Sequence, residues 1–412
     1  MPLAPLRLLI RTPFAPAMLA ALLVCQTVPA LAQLPTLGDG SDMASAAERR
    51  LGDRIARELY RDPDYIDDPV LVEYVQNIWQ PLMTAARARG ELSPELEERF
   101  AWEILLGKDR SVNAFALPGG YMGVHLGLIG VVSSRDELAS VLAHEMSHVT
   151  QRHISRLMTQ QSRQTPWLIG AMILGALAAS KSPDAANALV VGGQAVAAQN
   201  QLNFSRDMER EADRVGYGVM TQAGYSGQGF VGMFEKLQNA SRINDNGSFP
   251  YLRSHPLTTQ RIADMQSRQH MDAAAAVPVP LAMDHAMLAA RARVLSNPGA
   301  DVLRLWVAEP DTHSFKTMEP ARQAASLYAA TRASIQQREF ERARTLLARL
   351  ADVTRSDPAA ARQARLLSAE LELAAGNPQR TLEILAGSPP QRPELVLQTQ
   401  ARLQTSKGPD MT

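Results

Sequence analysis

Read for the spacing of its apolar positions, the chain has a mostly helical period. Residues 41–61 ("SDMASAAERRLGDRIARELYR") and 69–88 ("PVLVEYVQNIWQPLMTAARA") repeat apolar residues every three or four positions with few breakers, which predicts two helices. "FAWEILLG" (100–107) alternates and predicts a strand. "NAFALPGG" (113–120) and "YMGVHLGLIG" (121–130) follow as strand, turn and strand. In "SSRDELASVLAHEMSHV" a helix opens with a start signal: Ser134 and Glu137 form an S-x-x-E capping box, in which each side chain satisfies an N–H left free at the helix start. Leu138, Val141, Leu142 and Val149 give that helix its buried face.

Farther on, the pattern changes twice. Between Arg163 and Arg206 the only charged residues are Lys181 and Asp184. The apolar run "WLIGAMILGALAAS" (167–180) would span roughly 21 Å as a helix, short of the roughly 30 Å hydrocarbon core of a membrane. The segment 165–204 is expected to be a buried helix or lid, with a membrane-surface contact as the alternative. "DAAAAVPVPLAMD" (272–284) has the composition of a linker. Beyond it "REFERARTLLARL" from Arg338 aligns with "GNPQRTLEILAGS" from Gly376 at an offset of 38 residues. Each follows another helix, so residues 285–404 are expected to form tetratricopeptide-like helix pairs, although the usual period is about 34. An unrelated helical bundle is the alternative. Residues 405–412 read as a disordered tail.

The first 32 residues stand apart from this pattern. Arg7 and Arg11, the apolar run "FAPAMLAALLVCQTV" and the small-residue site Ala30 to Ala32 predict a secretory signal peptide cleaved before Gln33; an uncleaved anchor is the alternative. Cleavage would remove Cys25, the only cysteine, so no disulfide framework is expected despite export. Lys and Arg total 42 and Asp and Glu total 42, so no basic excess argues for nucleic acid.

The candidate chemistry lies in "HEMSH". His144 and His148 sit roughly 40° apart around a helix, on one face, where two neutral imidazoles can share one Zn²⁺. Glu145 lies beside them, placed to take a proton from an activated water. His153, nine positions from His144, falls roughly 180° around a continuous helix and is expected to point away, as a structural or outer-shell group. A third ligand is needed. In "FSRDMEREADRVG" Glu209 and Asp213 are four apart on one face, with Glu211 turned roughly 160° from Glu209. Glu209 is the candidate ligand, and Asp213 the candidate acceptor for the free ring N–H of a ligand histidine. A solvated charged face is the bland alternative. "NAFALPGG" offers Asn113, Ala114, Phe115 and Ala116 as an edge strand that pairs with an extended substrate, or as an ordinary core strand.

Taken in order, "NAFALPGG", "ELASVLAHEMSHVTQRH", "FSRDMEREADRVG" and "YLRSHPL" resemble the HExxH metallopeptidases related to the CAAX prenyl protease. That family includes a membrane heat-shock protease and a periplasmic branch with tetratricopeptide repeats, and this chain is similar to the periplasmic branch. The resemblance covers about residues 45 to 270 strongly and the repeats weakly. It implies a mainly α, gluzincin-like metalloprotease domain with a small β-sheet (33–271), followed by the all-α repeat domain. It also implies one zinc ion at His144, His148 and Glu209, Glu145 as base and Asp213 in catalytic support. The partners it implies are misassembled outer-membrane β-barrel precursors, with their assembly machinery bound through the repeats. The repeat region has no cysteine, so any disulfide found there in relatives cannot exist here.

The resemblance also places "YLRSHPL" near the metal. His255 precedes Pro256 and so favours an extended conformation in a loop. It is expected to cap the zinc in a latent state and swing away when a client binds; helix ordering or substrate hydrogen bonding are the alternatives. The functional expectation is a periplasmic zinc endopeptidase of outer-membrane protein quality control. A chaperone-like adaptor with a mostly latent protease site is the runner-up.

Overall fold

The computed structural model describes residues 44–160, 205–242, 249–272, 281–296 and 298–406. The predicted signal peptide, the apolar segment 165–204, most of the linker and the last residues of the predicted tail lie outside the described residues.

Helix α1 (Ser45–Arg61) is followed by α2 (Pro69–Ala88) and α3 (Pro94–Arg99). Both α2 and α3 start on a proline, whose missing N–H costs nothing at that position, behind a side-chain cap: Asp68 accepts from Leu71 N–H and Ser93 from Leu96 N–H. A three-stranded sheet comes next, from β1 (Glu103–Gly107), β2 (Ala114–Leu117) and β3 (Tyr121–His125), in the order β1-β3-β2. β1 runs parallel to β3, and β2 antiparallel to it. The Pro118–Gly120 turn between β2 and β3 requires glycine, with φ of 74° at Gly119 and 82° at Gly120.

One face of the sheet turns Leu106, Ala114, Met122 and Val124 into the main core. The other turns Leu105, Leu117 and Tyr121 onto Leu51 and Ile55 of α1. The expected strand over 121–130 is only half present: the chain leaves β3 at His125 and Leu126–Val131 form a short helix, α4. Leu126, Leu128 and Ile129 are fully buried there, and a short apolar run buried on several sides does not distinguish strand from helix.

Helix α5 (Arg135–Thr150) is the centre of this assembly, buried at every residue from Glu137 to Thr150. Ser134 caps it by accepting from Glu137 N–H, while the Glu137 carboxylate reaches past the cap to Ser133 N–H. Fully buried Leu138 and Leu142 each contribute roughly 1.5–3 kcal/mol. Helix α6 (His153–Gln160) follows, then α7 (Arg206–Gln222), α8 (Gln228–Arg242), the single turn α9 (Tyr251–Ser254) and α10 (Thr259–Asp272).

The rest of the chain is helical: α11 (Met283–Leu295), α12 (Ala300–Ala308), α13 (Pro320–Gln336), α14 (Phe340–Thr354), α15 (Pro358–Ala374), α16 (Pro378–Ile384) and α17 (Arg392–Ser406). The 38-residue offset recurs in the backbone. Arg338 and Gly376 both take left-handed conformations, and the bond from Glu339 N–H to Ser334 O is repeated from Asn377 N–H to Glu372 O. The described residues, Ala44 to Ser406, belong to one compact unit. Leu288, Ala292, Leu366 and Leu397 share a core with Val70, Leu71 and Tyr74 of α2. Buried Arg291 ties Asp68, at 2.6 Å, to Glu370, at 2.7 Å.

Candidate metal centre

The centre begins with an unusually close approach of two helices. At Gly216 of α7, an added Cβ would lie 3.1 Å from the Ala143 carbonyl and His144 N of α5. That contact between small residues brings Glu209, two turns earlier on α7, up to the histidines of α5. His144 and His148 are one turn apart, with their Nε2 atoms 3.0 Å from each other. Glu209 Oε2 lies 3.5 Å from His144 Nε2 and its Oε1 3.5 Å from His148 Nε2. His255 enters after α9, in a non-helical conformation with φ −123°, and places Nδ1 3.0 Å from Glu209 Oε1 and 3.4 Å from His144 Nε2.

His144, His148, Glu209 and His255 are all buried, and one ligand atom from each lies within 4.8 Å of the others. This donor set fits zinc. Bonds of about 2.0–2.1 Å in a tetrahedron put ligand atoms roughly 3.3 Å apart, close to the separations found here. The ring chemistry agrees. His144 Nδ1 lies 3.0 Å from Asp213 Oδ1, and His148 Nδ1 lies 2.9 Å from His153 Nδ1. With the Nδ1 protons committed outward, the two Nε2 lone pairs face each other and need a cation or a proton between them.

The electrostatics point the same way. Burial works against charge on His144, but Asp213 and Glu209 outweigh it and raise its pKa to about 9. Burial, reinforced by the charge of His144, drives His148 well below the ordinary histidine value. Burial opposes ionisation of Glu209, yet His255 and His144 hold it well below the usual carboxylate range. The carboxylates thus gather positive charge at the spot where the ligand atoms converge.

Glu145 points to one side of this cluster. Its Oε2 accepts from Ala116 N–H at 2.9 Å and its Oε1 is 3.4 Å from His255 Nε2. Burial raises its pKa, with His255 and His144 pulling the other way. Asn113 leads into β2, which holds Ala114, Phe115 and Ala116 at an edge of the sheet as described, and Asn113 Oδ1 is buried with no hydrogen-bond partner among the described residues.

His153 departs from its expected place. Helix α5 ends at Thr150 and Arg152 takes φ 55°, so the chain turns back and His153 packs on His148 instead of pointing away. Its Nε2 is 3.0 Å from Glu211, which also accepts from Arg156. The hydrogen bond of His153, joined by that of Arg156, lowers Glu211 to about 2 against the opposing effect of burial.

Two residues carry no signal in the sequence. Arg261, near the start of α10, is 3% exposed and bonds Asp213 through Nε at 2.6 Å and Nη2 at 2.7 Å. Its Nη1 lies 2.7 Å from Glu209 Oε2 and donates to Pro256 O at 2.9 Å, so one guanidinium joins both carboxylates to the His255 loop. Tyr251 stacks on the His255 ring, with centroids 4.5 Å apart. Only the Thr258 hydroxyl that accepts from Arg261 N–H hints at a helix start there.

Residues 72–269 match the profile of peptidase family M48. The chain is 32% identical over 257 residues to the beta-barrel assembly-enhancing protease of Escherichia coli K12, covering 61% of this chain and 51% of that one. The protein of the same name from Yersinia pestis is 31% identical over 322 residues, covering 78% and 63%. Mitochondrial metalloendopeptidase OMA1 of Saccharomyces cerevisiae is 28% identical over 196 residues, covering 46% and 54%. The matched stretch spans between about half and two thirds of each of these relatives.

Proposed function

The chain belongs to peptidase family M48 through residues 72–269, and on that premise we propose that it is a periplasmic zinc-dependent endopeptidase that degrades misassembled outer-membrane β-barrel precursors. The observation that carries the reading is the buried convergence of His144, His148 and Glu209, with the Glu145 carboxylate beside it. The client class is suggested by the names of the relatives, which speak of β-barrel assembly. Helices α11 to α17, read as tetratricopeptide-like pairs, are the proposed contact with the assembly machinery.

Zinc held by His144, His148 and Glu209 would supply a Lewis acid for the scissile carbonyl and lower the pKa of a water to about 7. Glu145 takes the proton of the attacking water and returns it to the leaving amine. Its burial raises its proton affinity, which suits that exchange. Asp213 holds His144 in the tautomer that presents Nε2, and Arg261 keeps Asp213 ionised and in place. The edge strand β2 pairs with the backbone of an extended client, with Asn113 Oδ1 as a further acceptor. Main-chain pairing of this kind tolerates many side chains.

His255 supports a latent resting state. A catalytic zinc keeps one position for water, whereas a fourth protein ligand closes the site. With Nδ1 3.0 Å from Glu209 Oε1, His255 is within reach of that fourth position. This favours a second reading alongside the first, a chaperone-like adaptor whose protease site is mostly closed.

The decisive experiment measures client turnover and zinc content in parallel for the wild type and Glu145→Gln. The variant is expected to keep zinc and lose proteolysis. Wild-type turnover by Glu145→Gln would sink the metalloprotease reading.

A further inference from the structure

Resting on the reading that a client polypeptide pairs with β2, we propose that the client and the catalytic base compete for one backbone donor, the N–H of Ala116. Glu145 holds that N–H in the resting protein. A client carbonyl takes it on binding and so releases the carboxylate. Main-chain pairing at the strand thereby gates cleavage, in addition to any closure by His255.

The register of the sheet decides which groups of β2 face outward. His125 N–H donates to Asn113 O at 3.0 Å, so Asn113 and His125 form a hydrogen-bonded pair. In an antiparallel ladder such pairs alternate, which turns the backbone groups of Phe115 and Leu117 towards Gly123 and Tyr121 of β3. Ala114 and Ala116 stand opposite Val124 and Met122 as the intervening pairs, and their N–H and C=O groups point away from β3. Ala114 is 0% exposed, and Pro118, just past the strand, has no N–H. Ala116 is half-buried, and its N–H is the outward donor that a client strand can reach.

That donor is taken. Glu145 Oε2 accepts from Ala116 N–H at 2.9 Å, a contact between α5 and the strand across 29 positions. Glu145 is fully buried, so water does not compete for the bond. Its other oxygen, Oε1, lies 3.4 Å from His255 Nε2. The base is thus tied to the sheet edge through one oxygen and faces the His255 loop with the other.

The competition selects for chain conformation. A carboxylate accepts from a backbone N–H more strongly than a neutral carbonyl does, so a single client carbonyl is a poor competitor. Displacement needs a second contact made at the same time. Ala116 O faces outward beside the N–H and supplies it, by accepting the N–H of the client residue that stands opposite. An extended strand makes both bonds and releases Glu145. A folded segment that brings a carbonyl near the centre without pairing leaves Glu145 on the strand. The gate therefore reads unfolded backbone and is indifferent to side chains.

The test is a double-mutant cycle on zinc-loaded, full-length protein. Glu145→Gln keeps a side-chain oxygen for Ala116 N–H and Glu145→Ala removes it, while both lack the charge and the base. Each is made with the normal amide at Ala116 and with lactic acid in its place, which turns that N–H into an ester oxygen. The sheet keeps its bonds, because this N–H lies outside the ladder between β2 and β3. The probe is a capped, uncharged peptide rich in Val and Thr, its Kd read by fluorescence anisotropy. With the amide, Glu145→Ala is expected to bind about fivefold more tightly than Glu145→Gln, the effect of one donor set free. With the ester, the two should bind alike, and more weakly than Glu145→Ala with the amide. An equal gap in the amide and ester proteins would assign it to the space opened by alanine and overturn the proposal. No gap with the amide, but weaker binding in both ester proteins, would overturn it while leaving the client on β2. Kd values unchanged by the ester in both backgrounds would remove the client from Ala116, and the proposal with it.

Discussion

Replacing Arg261 by leucine tests the electrostatic frame of the centre. The guanidinium makes two bonds to Asp213, at 2.6 and 2.7 Å, and sits 2.7 Å from Glu209, all at 3% exposure or less. Leucine keeps the apolar stem against Phe234, over whose ring the guanidinium lies at 5.2 Å, but takes from two buried carboxylates the guanidinium that joins them and leaves them His144. Removing one partner of a buried pair costs about 3–5 kcal/mol, and that is the loss expected in zinc-free protein at neutral pH. Zinc should reduce it, because the ion compensates Glu209 and leaves only Asp213, which still faces His144 Nδ1 at 3.0 Å. The sign with pH follows from the carboxylates. Asp213 and Glu209 have depressed pKa values in the wild type, so the stability they contribute is present above the unfolded carboxylate range and lost as pH falls through their folded values. The deficit of Arg261→Leu should therefore shrink as the solution is acidified below about pH 4, where both acids can be neutral. Urea denaturation with zinc and with chelator, at neutral and acid pH, measures all of this. A zinc-free loss under about 1 kcal/mol, or a loss that zinc leaves untouched, would refute the reasoning.

Glu209→Gln is expected to lose zinc while Glu211→Gln keeps it, since Glu211 contacts His153 and Arg156 and no ligand nitrogen of the cluster; metal analysis in the opposite order would reverse the assignment. His255→Ala should raise basal cleavage at full zinc occupancy, with self-cleavage as an added sign, and unchanged or lower activity would end the latency proposal. Zinc uptake should strengthen as pH rises towards 9, because the proton that Asp213 and Glu209 hold on His144 below about 9 must leave first. The expected slope is about tenfold in affinity per pH unit for that one proton, read by chelator competition, and a flat profile over this range would contradict it.

What the sequence determined by itself was everything set within one turn of helix or one hairpin. The four-residue spacing of His144 and His148, and of Glu209 and Asp213, puts each pair on one helix face whatever the helices pack against. Ser134 announces the start of α5, and the Pro118–Gly120 turn announces the break between β2 and β3. Apolar runs longer than a turn were already ambiguous: Leu126–Val131 could be read as strand, and burial on several sides made it a helix.

Tertiary packing decided the rest. His153 lies where a continuous helix would send it away from His148, and a single left-handed residue, Arg152, reverses that. Arg261 and His255 meet Glu209 across gaps of about fifty residues, and Arg291 reaches Asp68 across 223 positions, far beyond any local period. A buried arginine has the same letter as a solvated one, and its burial is stable only because carboxylates from other elements surround it. That coincidence is created when α5, α7 and α10 pack together, with Gly216 letting two of them approach to within a Cβ of each other. Local spacing therefore reveals which ligands share a face, while the packing of the helices determines which faces meet.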